Sequence, residues 1–411
     1  MQTSVSKWLR IAFLNLNIVA LIGIVLRYKI VFALPIVDQK HLLHGHSHFA
    51  FTGWISEALM TLIVAWLCEN VSKDALKRYY WILLLNLVAA YGMLITFPIE
   101  GYGLFSISFS TMSIIISYFF AVMVWKDLNK VEFRTNSILW FKAGVIFNAL
   151  SSLGAFSLAF MMAKHIIHQN WYLSAVYFFL HFQYNGWFYF VCMGLLMDVL
   201  RKNNITSKWL VWVFWIFTGA CIPAYFLSTL WMELPMWVYG IVVLSALGQL
   251  VGWGIIVATV FKQWDKWKTG VSGIGRYLIL LSGFALSLKL LLQLASTYPS
   301  LGTIAFGFHP VVIGYLHLVL LGVITVFIIG YVVLKQYLKM NKYLTRGIII
   351  FVSGIVFNEV LLMIQGVSFM QYITLPYVDV LLFVAAIVMF VGVLFMVISQ
   401  TKADSRIGNS E

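Results

Sequence analysis

Four histidines fall within eight residues: His41, His44, His46 and His48, in "HLLHGHSH". They stand at the start of a long apolar stretch, where histidine is uncommon. The chain of 411 residues has nine histidines in all. Three of them lie inside apolar stretches and are followed five residues later by glycine. These are His48 in "HFAFTG", His181 in "HFQYNG" and His317 in "HLVLLG". The separations are 133 and 136 residues, close to a third of the chain. A fixed long period of this kind marks an internal repeat. An imidazole in hydrocarbon is costly unless it is paired or coordinated, so the pattern points to metal or haem ligation. Two neutral imidazoles on facing helices bind the two faces of a haem iron, and a nearby glycine lets a flat macrocycle approach the backbone. The competing role for any one of the three is packing, with glycine at a helix contact and histidine bonded to a neighbouring carbonyl.

The elements that would carry these residues are membrane spans. The chain is 62% hydrophobic and 10% charged, where soluble domains carry about a quarter charged residues. Apolar runs of about 20 residues recur along its length, each enough to cross a bilayer. The expected fold is all-α and integral to the membrane, because helices satisfy their own backbone hydrogen bonds in lipid. Twelve spans are expected, at 9–34, 42–68, 77–98, 104–125, 138–163, 171–199, 208–231, 236–262, 273–296, 308–335, 346–366 and 374–400. They form one membrane domain over 1–400, in three repeat-like arcs of four helices (about 1–135, 136–270 and 271–400), followed by a polar tail at 401–411.

The net charge of +13 does not indicate a nucleic-acid partner. With the N-terminus inside, all but five of the 27 Lys and Arg residues fall on one side. The exceptions are Arg27, Lys29, Lys40, Lys164 and Lys289. This asymmetry sets topology and places both termini in the cytoplasm of a bacterial-type inner membrane. No cleavable signal peptide is evident. The three cysteines (Cys68, Cys192, Cys221) lack metal-ligand spacing and read as small buried residues. Spans two, six and ten then run in the same direction. Their echoed histidines sit at similar depth, ~10–16 Å from the outer ends at 1.5 Å per residue.

Twelve spans, three arcs and histidines near the outer ends of spans two, six and ten resemble subunit I of the haem–copper oxidase superfamily, including its nitric oxide reductases and C-type oxidases. The architectural likeness covers nearly the whole chain, and the motif likeness only short parts of those three spans. It implies that His317, in "GYLHLVLLG", and a span-two histidine ligate a low-spin b-type haem. His48 is the span-two choice by depth. His44 is its rival one turn earlier on the same face, and His46 lies about 200° round from His44. The family's first span-ten histidine, which ligates the catalytic haem, is here Tyr315. Its span-six histidine, which ligates the second metal, corresponds to His181. Asn185 stands where the nitric oxide reductases carry a glutamate. The family's two span-seven histidines have no counterpart; Cys221 is the one soft ligand in that span. The resemblance therefore implies one haem b, an incomplete binuclear centre, and little or no standard oxidase turnover. A second, shorter likeness joins "HGHSH" to membrane haem proteins of the nitric-oxide-response family.

Other polar residues lie within the expected spans. Glu57, two turns beyond His48, is a proton stop, a partner for a buried cation, or a neutral structural acid. Lys289, with Gln293 one turn on, pairs with a haem propionate or snorkels to the outer interface. Arg27 meets a propionate or a lipid phosphate. Asn358 and Glu359 mark a polar cavity or a hidden pair, and His309 an interfacial or propionate contact. The chain lacks a P-loop, a dinucleotide fingerprint and a CxxCH site. The function expected is respiratory electron transfer or nitric oxide metabolism, with a cytochrome or other respiratory subunit as partner. The alternatives are a full divergent oxygen or nitric oxide reductase, and a haem-free metal-handling protein or transporter.

Overall fold

A computed structural model describes residues 2–405 except 133–134, 272, 303–308 and 374, with the side chains at 2–3, 309 and 401–405 also left out. Every regular element among the described residues is helical. Ten helices are long and apolar enough to cross a membrane: α1 (Ser4–Val31), α2 (Gln39–Asn70), α3 (Ala75–Glu100), α4 (Leu104–Leu128), α5 (Asn136–Ala163), then α8 (Met236–Lys262), α9 (Gly273–Ala295), α10 (Pro310–Leu334), α11 (Lys342–Met370) and α12 (Val378–Gln400). Between α5 and α8 lie two less regular elements. The helical run over 169–202, α6, carries His181, Gln183 and Asn185 at its middle and is not one of the ten. Next comes α7, Leu210–Cys221, which continues as a 3-10 turn, Pro223–Thr229, after a 46° bend. The chain is thus a multi-pass membrane protein. Its outward faces carry large apolar side chains such as Trp81, Phe119, Leu244 and Phe284, as lipid-facing surfaces do.

The helix of the last span continues to Ser405, so the start of the expected tail is helical; 406–411, and the side chain of His309, lie outside the described residues. The chain falls into two compact units, 1–123 with 328–411, and 124–327. In the first, α11 packs on α12, α12 on α1, and α2 on α3. A Cβ on Gly392 would lie 2.4 Å from the backbone nitrogen of Phe351, so α11 and α12 touch backbone to backbone, as small residues permit in lipid. At the far end of α2, Glu69 accepts from Lys335 Nζ at 3.0 Å and from Tyr337 OH at 3.0 Å. In the second unit α5 packs on α6, α7 on α8, and α8 and the middle of α10 on α9.

The helices that carry the echoed histidines share a backbone irregularity. Three π-helical segments occur among the described residues: Ala50–Ser56 in α2, Phe182–Phe188 in α6 and Leu318–Thr325 in α10. Each begins one or two residues after the histidine of the echo and contains its glycine. A π turn closes hydrogen bonds to the fifth residue on; it is rare, and is frequently found at functional sites. It throws carbonyls out of register, and in lipid they must find other donors.

Side chains from neighbouring helices supply those donors. Asn15 Nδ2 donates to Gly53 O at 2.6 Å, and its Oδ1 accepts from Tyr91 OH at 2.7 Å. Asn86 Nδ2 donates to Thr52 O at 3.2 Å and to Glu57 Oε2 at 2.8 Å. In α10 the carbonyl of Val323 accepts from Ser282 Oγ at 2.7 Å. The repeat legible in the sequence is therefore a repeat of backbone geometry. Two of its glycines have packing roles as well: a Cβ on Gly186 would lie 2.6 Å from Phe147 Cβ, and one on Gly322 would lie 3.4 Å from Ala285 Cβ.

Asn86→Leu should strip a donor from both the Thr52 carbonyl and the Glu57 carboxyl. Leaving such buried groups unsatisfied costs about 1–3 kcal/mol. Thermal unfolding of the purified protein should show a clearly lowered midpoint for Asn86→Leu. Ser108→Ala, which removes an exposed bond to the helix's own Leu104 carbonyl, should leave the midpoint nearly unchanged.

Candidate functional site

In the first unit the histidine cluster opens α2. Asp38 caps the helix, its carboxylate accepting from the His41 backbone N–H at 2.8 Å. The next turns place His44 and His48 on one face, as spacing of four dictates. Both rings lie against Phe97 of α3 and Tyr102 just after it. His48 stacks on Phe97 at 4.3 Å between centroids and 12° between planes, and His44 meets Tyr102 edge-on at 4.7 Å. His46 points elsewhere: its Cε1 would be 3.6 Å from a Cβ on Gly23 of α1. His41 packs over Gly101, whose φ of +62° suits glycine. The rival pair His44 and His48 thus share one aromatic wall, and His46 is excluded from it.

The hydrogen bonding separates these rings further. Among the described residues neither ring nitrogen of His48 has a hydrogen-bond partner, and the ring is half-buried. His44 Nε2 is buried, again with no partner. A buried polar atom with no partner calls for an explanation such as an ion or a ligand. Arg27 is half-buried in α1 and within electrostatic reach of Asp379 on α12. Lys29 instead ties down the chain before α2, donating to the carbonyls of Leu34 and Val37.

In the second unit His317 Nδ1 lies 2.8 Å from Ile313 O. A carbonyl only accepts, so Nδ1 carries a proton, and in the neutral form of the ring the lone pair is on Nε2. That is the tautomer of a metal-ligating imidazole held by a carbonyl. Tyr315, two residues earlier, is half-buried and within electrostatic reach of Tyr184.

His181 is different. Its Nε2 donates to Cys221 O at 2.8 Å and its Nδ1 accepts from Asn185 Nδ2 at 3.1 Å. The Cys221 carbonyl is available because the helix breaks there. Past Pro223 the chain tightens, and Tyr225 N bonds to Ile222 O in place of Cys221 O. His181 therefore staples the break in α7 with both ring nitrogens engaged. Nearby, Gln183 Nε2 donates to Asn148 Oδ1 at 2.9 Å and Ser151 Oγ at 2.8 Å. Among the described residues no group of three His, Cys, Asp or Glu side chains could hold a metal ion. This donor set does not fit a second metal at His181.

Lys289 sits beside this staple, 5% exposed. Its Nζ donates to Gln293 Oε1 at 2.6 Å, and Gln293 Nε2 donates to Gln249 Oε1 at 3.0 Å. The lysine does not snorkel; it ends on an amide chain at a small cavity that Asn185, Tyr189, Cys221 and Gln249 also line. The polar members Tyr189 and Gln249, and the carbonyl-capping Asn15, Asn86 and Ser282, carry no motif. Their signal was a polar residue in the middle of an apolar span.

No family model and no curated protein matches the chain.

The Asp38 cap holds its carboxyl below the usual aspartate range, chiefly through the His41 N–H. Its support for α2 is therefore complete above about pH 4, the unfolded aspartate range, and is lost as pH falls through the lowered folded value. Asp38→Ala should speed amide exchange at the start of α2 at neutral pH and abolish the acid dependence there, while the middle of α2 keeps its protection.

Proposed function

We propose that this membrane protein binds one low-spin b-type haem through two imidazoles and acts in respiratory electron transfer or nitric oxide metabolism. The observation that carries the reading is the alignment of three histidines, evenly spaced in sequence, with three π segments. Irregular turns of this kind are frequent at functional sites, and each histidine stands at the edge of its own.

His48 and His317 are the candidate axial ligands, each supported within its own unit. His48 has no hydrogen-bond partner among the described residues and is oriented by stacking on Phe97. His317 has its proton fixed on Nδ1 by the Ile313 carbonyl. A bis-histidine haem, when bound, supplies a one-electron couple whose potential follows ligation, burial and nearby hydrogen bonds. The protein's part is to hold the two rings, exclude water and set the local field. Phe97 and Tyr102 pack against the span-two ring, and Arg27 is the cation on that unit suited to a propionate. His44 is the alternative ligand, since its buried Nε2 is also without a partner.

The reading includes a twelve-span topology in three arcs, both termini in the cytoplasm of an inner membrane, and a cytochrome or other respiratory subunit as electron partner. The three matched π segments support the arcs. It does not extend to a second metal or to reductase turnover, because His181 is committed to the Cys221 carbonyl and to Asn185.

A reduced-minus-oxidised absorbance spectrum of the purified protein, with haem extraction and metal analysis, tests this. One b-type haem per chain, low-spin, is expected. His48→Ala and His317→Ala should each abolish the six-coordinate spectrum, and His181→Ala should leave it. Loss in His44→Ala with retention in His48→Ala would move the ligand one turn. Protein without haem, expressed with ample haem supply, would overturn the reading in favour of a metal-handling or transport role. A second haem or a stoichiometric metal would restore the reductase.

A further inference from the structure

The cavity beside α9 presents hydrogen-bond donors and a lysine for which the described residues supply no counter-charge. Lys289 lies inside an apolar span, and its one hydrogen-bond partner is the neutral Gln293. Among the described residues no ion pair includes it; the pairs lie on Asp74, Asp127, Asp198 and Glu69. A buried ammonium without a counter-charge is expensive, and such groups in membrane spans mark ligand or ion sites.

Two other polar groups on the cavity wall, Tyr189 and Gln249, have donors to offer. Tyr189 is 7% exposed, and its hydroxyl is buried with no hydrogen-bond partner. Gln249 is equally buried, and its Oε1 is taken up by Gln293 Nε2, so its own Nε2 remains to donate. The carbonyl of the wall residue Cys221 is consumed by His181 Nε2. The direction of the amide chain matters here. Lys289 gives to Gln293 and Gln293 gives to Gln249, which leaves the last donor at the end of the chain. Phe190, Phe217, Leu286 and Leu290 close the remaining sides.

We propose that this cavity binds a small monovalent anion of halide size, held by the Lys289 ammonium with the Tyr189 hydroxyl and the Gln249 amide. Cations are repelled by Lys289. Larger anions are excluded by size, since the free space holds on the order of one water molecule. A single negative charge neutralises the lysine, which a second would exceed. None of its residues is a proposed axial ligand, and an anion held here takes the place of the propionate contact that the sequence suggested for Lys289.

Bromide is a suitable probe, as a poor haem ligand with an NMR-active nucleus. The purified full-length protein is titrated with sodium bromide against sodium gluconate at fixed ionic strength, and the bromide line width is followed. Saturable excess broadening is expected, lost in Lys289→Met and retained in His48→Ala and His317→Ala. Tyr189→Phe removes one donor and should weaken the affinity about tenfold, the equivalent of one hydrogen bond to a charged group. Broadening that is absent, or equal in wild type and Lys289→Met, would overturn the proposal. If Lys289→Met does not fold, Tyr189→Phe decides: an affinity equal to that of wild type overturns it.

Discussion

A carbonyl in hydrocarbon has no water to turn to, and much of this structure answers that one constraint. A regular helix satisfies the constraint by itself. This chain departs from regular helix at three π segments and at the bend after Cys221, and at the points described it repairs the departure with a side chain. Asn15 and Asn86 serve the first π segment, Ser282 the third, and His181 the bend. Each repair joins two helices, so the irregularities also act as fasteners. Removing one member leaves an unpaired dipole in a low-dielectric interior, where its cost is greatest.

The same constraint divides the histidines by role. His181 is fully engaged on the protein itself, with one nitrogen on a carbonyl and one on an amide. His48 and His44 have ring nitrogens that the protein leaves without partners, against a wall of Phe97 and Tyr102. A sequence pattern makes these residues equivalent, but hydrogen bonding does not. Position five residues before a glycine told which histidines belong to the repeat; only the geometry of neighbours such as the Cys221 carbonyl tells which of them is spoken for.

Helical, membrane-spanning character was plain in the sequence because apolar runs of span length are a strong, local signal. Helices lie at the places expected, α8 over the same residues, and His44 and His48 share a face as spacing of four requires. The π segments were not legible, because no propensity scale registers a change from 3.6 to a wider turn; the H-x4-G echo was their indirect trace. The fastening residues were hidden for another reason. Asn15 and Asn86 are isolated polar residues whose partners lie 38 and 34 positions away, and pairing at that distance is decided by packing. Lys289 was visible as an anomaly, but its orientation towards Gln293 and the cavity, instead of the membrane surface, depended on the placement of α8 and α6.

The two polar centres also differ in what they ask of a ligand. The histidine face of α2 offers lone pairs, and an imidazole lone pair suits a Lewis acid such as iron. The Lys289 cavity offers the lysine together with the Tyr189 hydroxyl and the Gln249 amide as donors, and so suits a base or an anion. A chain that kept polar groups in lipid merely as structural fasteners would pair them internally, as it does at His181 and Asn15. Complementary surplus, lone pairs in one unit and donors in the other, is what a protein retains when the missing partner arrives from outside.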